Sequence, residues 1–441
     1  MGSLNAVCCL GVCYQYGIGT APDAKQAAEL YCKAAEYGSP RGQMLLARAF
    51  HDGIGVEADA AEAVYWVRAA AYQRYGEGMH RLGVCYEYGD GVEQNWERAV
   101  HWFREAAESG VSVAMADLGY CYEKGCGVEQ SWEQAFSWYR RGAECGDLRS
   151  MHNLGYCYEK GCGVEQSWEQ AFSWYRRGAE CGYPVSMSNL GLCYQMGYGV
   201  EQNWQEAIKW YEQGAQCGDL QSMHNLACCY EHGEGVEQNM TEAIRWYTAA
   251  AEGGNADDMY ELGWQYDHGE GVEQDMKKAI CWYERAAEQN HPAAMNSLGE
   301  CYAMGRGVPR DLETAMEWYR RAAELGEAMA DYNMGWHLEQ AGKLSEAYTH
   351  YRKAADGNDD SAWWALGRFY ENGVVVAQDG KEARRCYETG EKLGSVKCKM
   401  RLARCKLFGY RRPQGKESRF GSMPSGVGIG KGEQRKRGLR L

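Results

Sequence analysis

The sequence lacks the features that mark several common classes of protein. No run of it approaches the roughly 20 apolar residues that a membrane-spanning helix needs. No basic region followed by an apolar stretch and a cleavage site stands near Met1, so no secretory signal is indicated. No Cys-x2-Cys pair occurs, and the recurring Gly-x-Gly loops follow no strand that would make them phosphate loops. We therefore predict a cytoplasmic protein without a membrane span, a cofactor, a metal site or catalytic residues.

The sequence also has little positive charge outside its C-terminal end. The net charge of the 441 residues is -14, yet residues 409–441 hold nine Lys or Arg against two Glu, which leaves -21 for residues 1–408. Duplex nucleic acid is bound by Lys and Arg that neutralise phosphates, so we expect no nucleic-acid partner. The basic, Gly- and Arg-rich composition of residues 409–441 predicts a disordered tail.

What the sequence does have is a leucine at a fixed period of 36 residues, which we call the anchor position. The anchors are Leu10, Leu46, Leu82, Leu118, Leu154, Leu190, Leu226, Leu262 and Leu298. Met334 takes the next place, Leu366 follows after only 32 residues, and Leu402 restores the period. A repeated unit of this length predicts an array in which each unit buries its apolar face against its neighbours.

One unit, residues 113–146, has the pattern of a helical hairpin. Met115, Leu118 and Tyr122 share one face of a first helix, and Gly125 is suited to end it in a left-handed conformation. A second apolar face follows at helical spacing and is formed by Trp132, Ala135, Trp138, Tyr139 and Ala143. The unit is therefore predicted to be helix-turn-helix, and its aromatic and methionine residues to be core rather than a cofactor site.

Twenty cysteines could indicate a disulfide framework, but they follow the repeat. Equivalent cysteines of adjacent repeats, such as Cys121 and Cys157, should lie about 8 to 10 Å apart, the usual helix packing distance. A disulfide needs a Cα separation of roughly 4.4 to 6.8 Å. We therefore interpret most of the cysteines as reduced, small core residues.

The repeated motif is Leu-Gly-x-Cys-Tyr-Glu-x-Gly-x-Gly-Val-Glu-Gln, followed by Glu-x-Ala, Trp-Tyr and Ala-Ala-Glu. It resembles the Sel-1-like repeat, a relative of the tetratricopeptide repeat with a longer unit. The resemblance covers residues 3–408 and implies an all-α, right-handed α/α superhelical solenoid of about eleven helix-turn-helix repeats. It also implies a non-catalytic adaptor or scaffold that binds proteins or peptides.

Two other functions stay open at this stage. A cysteine-rich subgroup of the same family is associated with β-lactam binding or hydrolysis, which implies a hydrolase acting on a cell-envelope compound as one alternative. That subgroup has a second cysteine about eight residues after the position of Cys145, where this chain has Asn153, and no Ser-x-x-Lys nucleophile motif is present. The other alternative is a protein that responds to oxidants or metals through its thiols.

The resemblance further implies that the first helix of each hairpin lines a concave groove. The groove positions lie two before, two after, five after and six after the anchor, and they carry carboxylates beside aromatic side chains. Such a groove suits a basic or extended peptide, because carboxylates pair with Lys or Arg and aromatic faces accept cations. The predicted partner-binding residues are Glu87, Tyr120, Glu123, His152, Tyr156, Glu159, His224, Glu231, Trp264, Asp267 and Trp336.

Overall fold

The structure is a computed structural model that describes residues 2–408, and these form 23 α-helices and no strand. The predicted tail, residues 409–441, lies outside the described residues. The chain divides into two compact units, unit 1 at residues 1–222 and unit 2 at residues 223–441. The all-α class and the helix-turn-helix repeat are confirmed, since within each unit first helices pack against the second helices that follow them, as α7 does against α8 and α15 against α16.

Unit 1 holds the first twelve helices and the beginning of the thirteenth, and odd-numbered helices are the first helices of their repeats. The bounds are α1 Gly2–Tyr16, α2 Ala24–Glu36, α3 Pro40–Asp52, α4 Ala60–Tyr72, α5 Gly76–Tyr88, α6 Trp96–Glu108, α7 Ser112–Lys124, α8 Trp132–Glu144, α9 Leu148–Lys160, α10 Trp168–Glu180, α11 Pro184–Met196, α12 Trp204–Gln216 and α13 Leu220–His232. Helices of 13 residues recur throughout.

Unit 2 continues the same alternation from within α13. The bounds are α14 Met240–Glu252, α15 Ala256–His268, α16 Met276–Glu288, α17 Pro292–Met304, α18 Leu312–Glu324, α19 Ala328–Gln340, α20 Leu344–Asp356, α21 Asp360–Asn372, α22 Gly380–Lys392 and α23 Val396–Phe408. Among the described residues, none of the helices has the length and apolarity needed to cross a bilayer.

The ends of the helices follow from polar caps and glycines. Asn95 and Ser131 each accept a hydrogen bond from a backbone N–H in the first turn of the helix that follows. Gly125 ends α7 with a φ of 73° and donates its own N–H to the carbonyl of Cys121. The backbone of a residue with a Cβ is strained in this left-handed region, so glycine is the residue that suits the end of the helix.

The core of most hairpins is built from small residues that allow a tyrosine to lie between the helices. In unit 1, Tyr139 and Ala135 are fully buried, and a Cβ added at Gly119 would lie 2.5 Å from the Tyr139 ring. Glycine at position 119 therefore allows the two helices of this hairpin to approach closely. The anchors are buried too, except Leu10, which is 47% exposed because α1 has neighbours on one side only.

Two expectations about the core need correction. The tryptophan before each core tyrosine is only half-buried, and the guanidinium of Arg141, for example, lies 4.2 Å from the centre of the Trp138 ring. The cysteines at the end of the second helices are exposed rather than packed, since they are C-cap residues: Cys145, Cys181 and Cys217. Cysteines three residues after the anchor do lie in the core, and burial raises the pKa of Cys121 and Cys157 to about 12.

Candidate partner-binding site

The predicted carboxylates five residues after the anchor are bonded to the core tyrosines. In unit 1, the Tyr139 hydroxyl donates to Glu123 Oε2 over 2.7 Å, and the Tyr175 hydroxyl donates to Glu159 Oε2 over 2.7 Å. The second oxygen of Glu159 lies 2.9 Å from Lys160 Nζ. These carboxylates therefore hold the second helix of the repeat against the first.

The same bond recurs in unit 2. Tyr247 donates to Glu231 over 2.7 Å, and Asp267 accepts from Tyr283 over 3.4 Å and from Arg306 over 2.9 Å. Glu231 and Asp267 are 6% and 4% exposed. The expectation of a stripe of open carboxylates is therefore wrong for these buried side chains and for Glu159, because a tyrosine draws each of them into the core. Direct contact of these residues with a partner stays a prediction.

Uncharged residues perform the same role at two positions of unit 1. Tyr31 donates to Gln15 Oε1 over 2.7 Å, and Tyr211 donates to Gln195 Oε1 over 2.6 Å. An amide oxygen is thus a sufficient acceptor for the tyrosine, and the bond does not require a negative charge.

This equivalence predicts the effect of replacing Glu123, Glu159 and Glu231 together by Gln. We expect the free energy of unfolding to change by less than about 1 kcal/mol per site, because the tyrosine bond is kept and only a half-exposed ion pair with lysine is lost in unit 1. Urea denaturation followed by circular dichroism measures this change. A loss of several kcal/mol would show that the charge itself is needed for folding.

Glu87 is the exception among the predicted carboxylates of unit 1. Phe103 stands at the place of Tyr139 and has no hydroxyl to donate, so Glu87 is not drawn into the same bond. Glu87 instead lines a cavity of about 490 Å³. The residues around this cavity are His80, Val84, Glu87, Tyr88, Val113, Ala116, Asp117, Tyr120, Arg149, Asn153 and Tyr183. We call it the unit 1 cavity.

The unit 1 cavity lies on the first helices of three consecutive repeats, α5, α7 and α9. His80, Val84, Glu87 and Tyr88 occupy all four of the predicted groove positions around Leu82. Tyr120, which is 43% exposed, occupies the predicted position two residues after Leu118. Of the predicted site residues, the structure thus brings Glu87 and Tyr120 together.

Charged groups of opposite sign meet in this cavity. Asp117 accepts from Arg149 Nη2 over 2.9 Å, and its other oxygen lies 2.7 Å from His80 Nε2. Burial, and then the negative charge of Asp117, raises the pKa of Glu87 above its usual value. A cation bound in this cavity would therefore stabilise the charged form of Glu87 more than that of Asp117, which is already paired.

The other predicted residues of unit 1 lie near one another on α9. Tyr156 is 38% exposed, and Lys160 Nζ lies 5.9 Å from the centre of its ring. His152 packs against the rings of Tyr175 and Tyr183, 5.6 and 5.8 Å away between centroids. Burial lowers the pKa of His152 to about 4, so this side chain is neutral near pH 7.

The remaining predicted residues belong to unit 2. Trp264 is half-buried and stacks on His268 with 4.3 Å between the ring centres, and Trp336 meets His337 edge-on at 4.8 Å. His224 is hydrogen-bonded to Asp258 over 2.7 Å. Within residues 2–408, no three His, Cys, Asp or Glu side chains come together as ligands for a metal ion.

The sequence analysis missed Asp117, Arg149 and Tyr183 as cavity residues. They lie outside the four groove positions taken from the resemblance. One signal in the sequence points to this place, since Phe103 replaces the tyrosine that Tyr31 and Tyr139 provide in other repeats. A carboxylate whose tyrosine donor is replaced, as at Glu87, is a candidate for another partner.

The repeats identify the family to which the chain belongs. The sequence profile of the Sel1 repeat matches residues 6–39, 40–75, 76–111, 112–147, 148–183, 184–219, 220–255, 256–291, 292–327, 328–359 and 362–395. The chain belongs to the Sel1 repeat family. Sel1 repeats therefore account for nearly all of the described residues, and the predicted number of eleven is confirmed.

Two solved Sel1 repeat structures resemble this chain. One is c5321, a protective antigen present in uropathogenic Escherichia coli strains, with 32% identity, a TM-score of 0.62, and coverage of 92% of this chain and 91% of that one. The other is a Sel1 repeat protein from Oxalobacter formigenes, with 30% identity, a TM-score of 0.50, and coverage of 55% of this chain and 96% of that one. A comparison with curated proteins gave no match.

Proposed function

We propose that this Sel1 repeat protein is a non-catalytic scaffold of the cytoplasm that binds a basic segment of a partner protein in the unit 1 cavity. Helical repeat arrays of this type are typical of protein-interaction scaffolds. The observation that carries the proposal is the position of Glu87, a carboxylate in a cavity of about 490 Å³ whose usual tyrosine donor is replaced by Phe103. Glu87 keeps a hydrogen bond to Tyr88, and a lysine or arginine side chain of a partner would add the ion pair that neutralises its charge.

The surroundings of Glu87 favour a cation over other ligands. Asp117 is already paired with Arg149 and His80, so it does not compete for the incoming charge. Tyr88 and Tyr120 are exposed and offer ring faces for a cation or an aliphatic stem. The net charge of -21 over residues 1–408 attracts a basic segment from a distance.

The proposal is tested with synthetic peptides of 15 residues that carry several Lys and Arg, against peptides of the same length in which Glu replaces them. We expect Glu87→Gln to weaken binding of the basic peptides by about tenfold, which corresponds to roughly 1.4 kcal/mol. Glu129→Gln is the matched control, because it removes the same charge from an exposed loop residue. Fluorescence anisotropy gives the dissociation constants. Equal affinity of the parent for basic and acidic peptides would contradict the proposal.

The affinity should also depend on pH in a defined direction. Binding of a cation requires charged Glu87, and burial raises the pKa of this carboxyl. Affinity is therefore expected to fall as the pH falls through this raised pKa, at a higher pH than for an ordinary glutamate. In Glu87→Gln this part of the pH dependence should disappear.

The remaining groove residues predicted from the sequence extend this proposal to a longer binding surface. In unit 1, Glu123, His152, Tyr156 and Glu159 would contact further residues of the same partner. In unit 2, His224, Glu231, Trp264, Asp267 and Trp336 would offer a separate surface. Peptides bound by the parent but lost in the triple variant of Glu123, Glu159 and Glu231 would support this extension, and unchanged binding would limit the site to the unit 1 cavity.

A further inference from the structure

Three side chains of unit 2 form a hydrogen-bonded series that the repeat motif does not explain. Cys228 Sγ lies 3.5 Å from His224 Nε2, and His224 Nδ1 lies 2.7 Å from Asp258 Oδ1. His224 and Cys228 are four residues apart on α13 and so share one face, while Asp258 lies in the first turn of α15. The order thiol, imidazole, carboxylate is the one in which a histidine takes a proton and a carboxylate orients it.

A cysteine, a histidine and an aspartate form such a series at this one place in the described part of the chain. The position of Cys228 carries no cysteine in the other repeats, as at Tyr156 and Trp264. The position of Asp258 carries a small residue in the other repeats, as at Ser150 and Ala294. Histidine recurs at the position of His224, as at His80 and His152, but a repeat architecture does not require a cysteine and a buried aspartate beside it. The departures at Cys228 and Asp258 therefore call for another explanation.

The surroundings favour transfer of the thiol proton to the histidine. Burial opposes a charged imidazolium, but the neighbouring Cys228 and the hydrogen bond and charge of Asp258 outweigh it, and the pKa of His224 lies well above its usual value. The Tyr247 hydroxyl, which donates its proton to Glu231, lies 3.4 Å from Cys228 Sγ and can accept a hydrogen bond from the thiol. The charged groups that face this series are Asp258, Asp257 on the same turn of α15, and Glu231, which Tyr247 also contacts.

We propose that Cys228 is a nucleophile that gives its proton to His224, which Asp258 positions, and that its sulfur is a site of covalent modification by small uncharged hydroperoxides. The half-buried sulfur excludes bulky reagents, and the carboxylates of Asp258, Asp257 and Glu231 disfavour anionic ones. This proposal goes beyond the scaffold function, and it would stand even if nothing bound in the unit 1 cavity.

The reaction with hydrogen peroxide balances within these residues. The sulfur attacks one peroxide oxygen, an S–O bond forms and the O–O bond breaks. Cys228 is oxidised by two electrons to a sulfenic acid and the peroxide is reduced. The departing hydroxide takes the proton from His224 and leaves as water.

The test measures alkylation of each cysteine in the full-length protein by iodoacetamide, with peptide mass spectrometry as the readout. We expect Cys228 to react at least tenfold faster than the exposed Cys281 at pH 6, and its rate to change little between pH 6 and 8. An ordinary exposed thiol gains about tenfold in rate per pH unit over that range, because its thiolate fraction rises. Since this comparison is made within the parent protein, it needs no variant. Equal rates and equal pH profiles of Cys228 and Cys281 would overturn the proposal.

Substitutions at His224 and Asp258 then test the role of each residue. His224→Gln should reduce the rate of Cys228 at pH 6 by at least tenfold, while His101→Gln, at an exposed histidine of α6, should leave it unchanged. Asp258→Asn should shift the pH profile of Cys228 toward that of Cys281, as expected for a positioning residue. After brief exposure to hydrogen peroxide, Cys228 is expected to lose its reactivity toward iodoacetamide and to recover it with dithiothreitol; such a loss at Cys281 but not at Cys228 would contradict the hydroperoxide assignment.

Discussion

Replacing Gly163 with alanine is expected to destabilise the protein by about 2 to 5 kcal/mol. Gly163 has a φ of 70°, which strains any residue with a Cβ. An added Cβ would also overlap with the backbone carbonyl of Trp132, the first residue of α8 in the preceding repeat. The loop after α9 therefore rests directly on the neighbouring repeat, and glycine sets the distance between them. Urea denaturation followed by circular dichroism measures the loss.

Gly182 is the matched control for this substitution. Its φ of 87° is also left-handed, but an added Cβ would meet nothing within 4 Å. Gly182→Ala should therefore cost only the backbone strain, about 1 to 2 kcal/mol. If Gly163→Ala and Gly182→Ala cost the same, contact between the loop and the preceding repeat is not the reason for the glycine.

Replacing Tyr175 with phenylalanine is expected to cost about 1 to 3 kcal/mol of the free energy of unfolding. The Tyr175 hydroxyl donates to Glu159, and both side chains are buried in unit 1. Removing the hydroxyl leaves a buried carboxylate without one of its donors, although its other oxygen keeps the ion pair with Lys160. The measurement is again the free energy of unfolding in urea.

Tyr319 provides the control within the same chain. It is a fully buried equivalent of Tyr175 in unit 2, but Ala303 stands sixteen residues before it, at the place of Glu159. Its hydroxyl is buried and has no hydrogen-bond partner among the described residues. Tyr319→Phe should therefore be neutral or stabilising. A loss as large as that of Tyr175→Phe would mean that the bond to Glu159 contributes nothing measurable.

Much of the repeat could be predicted because local chemistry determines it. Asn95 caps a helix through a bond to its own first turn, and Gly125 ends a helix through its own backbone. Both effects act within a few residues, so the sequence alone predicts them. The period then predicts the core tyrosines, since positions 36 residues apart share an environment.

The candidate sites were less predictable because they depend on contacts between helices. The bond of Tyr175 to Glu159 spans sixteen residues and both positions recur, but recurrence alone did not distinguish a core contact from an open groove. The contact of His224 with Asp258 spans 34 residues and joins two first helices. Its formation depends on how neighbouring repeats approach each other, which a repeat motif does not specify. Departures from the motif, at Phe103 and at Cys228, proved more informative than the motif itself.

The central claim is that the protein binds a partner through Glu87 in the unit 1 cavity. The most direct measurement is affinity capture from a lysate of the native host with the parent, Glu87→Gln and Glu129→Gln, each verified as folded and compared by quantitative mass spectrometry. The claim predicts a protein that the parent and Glu129→Gln retain and Glu87→Gln loses, with binding through a basic segment. Retention of the same proteins at the same levels by all three would contradict it.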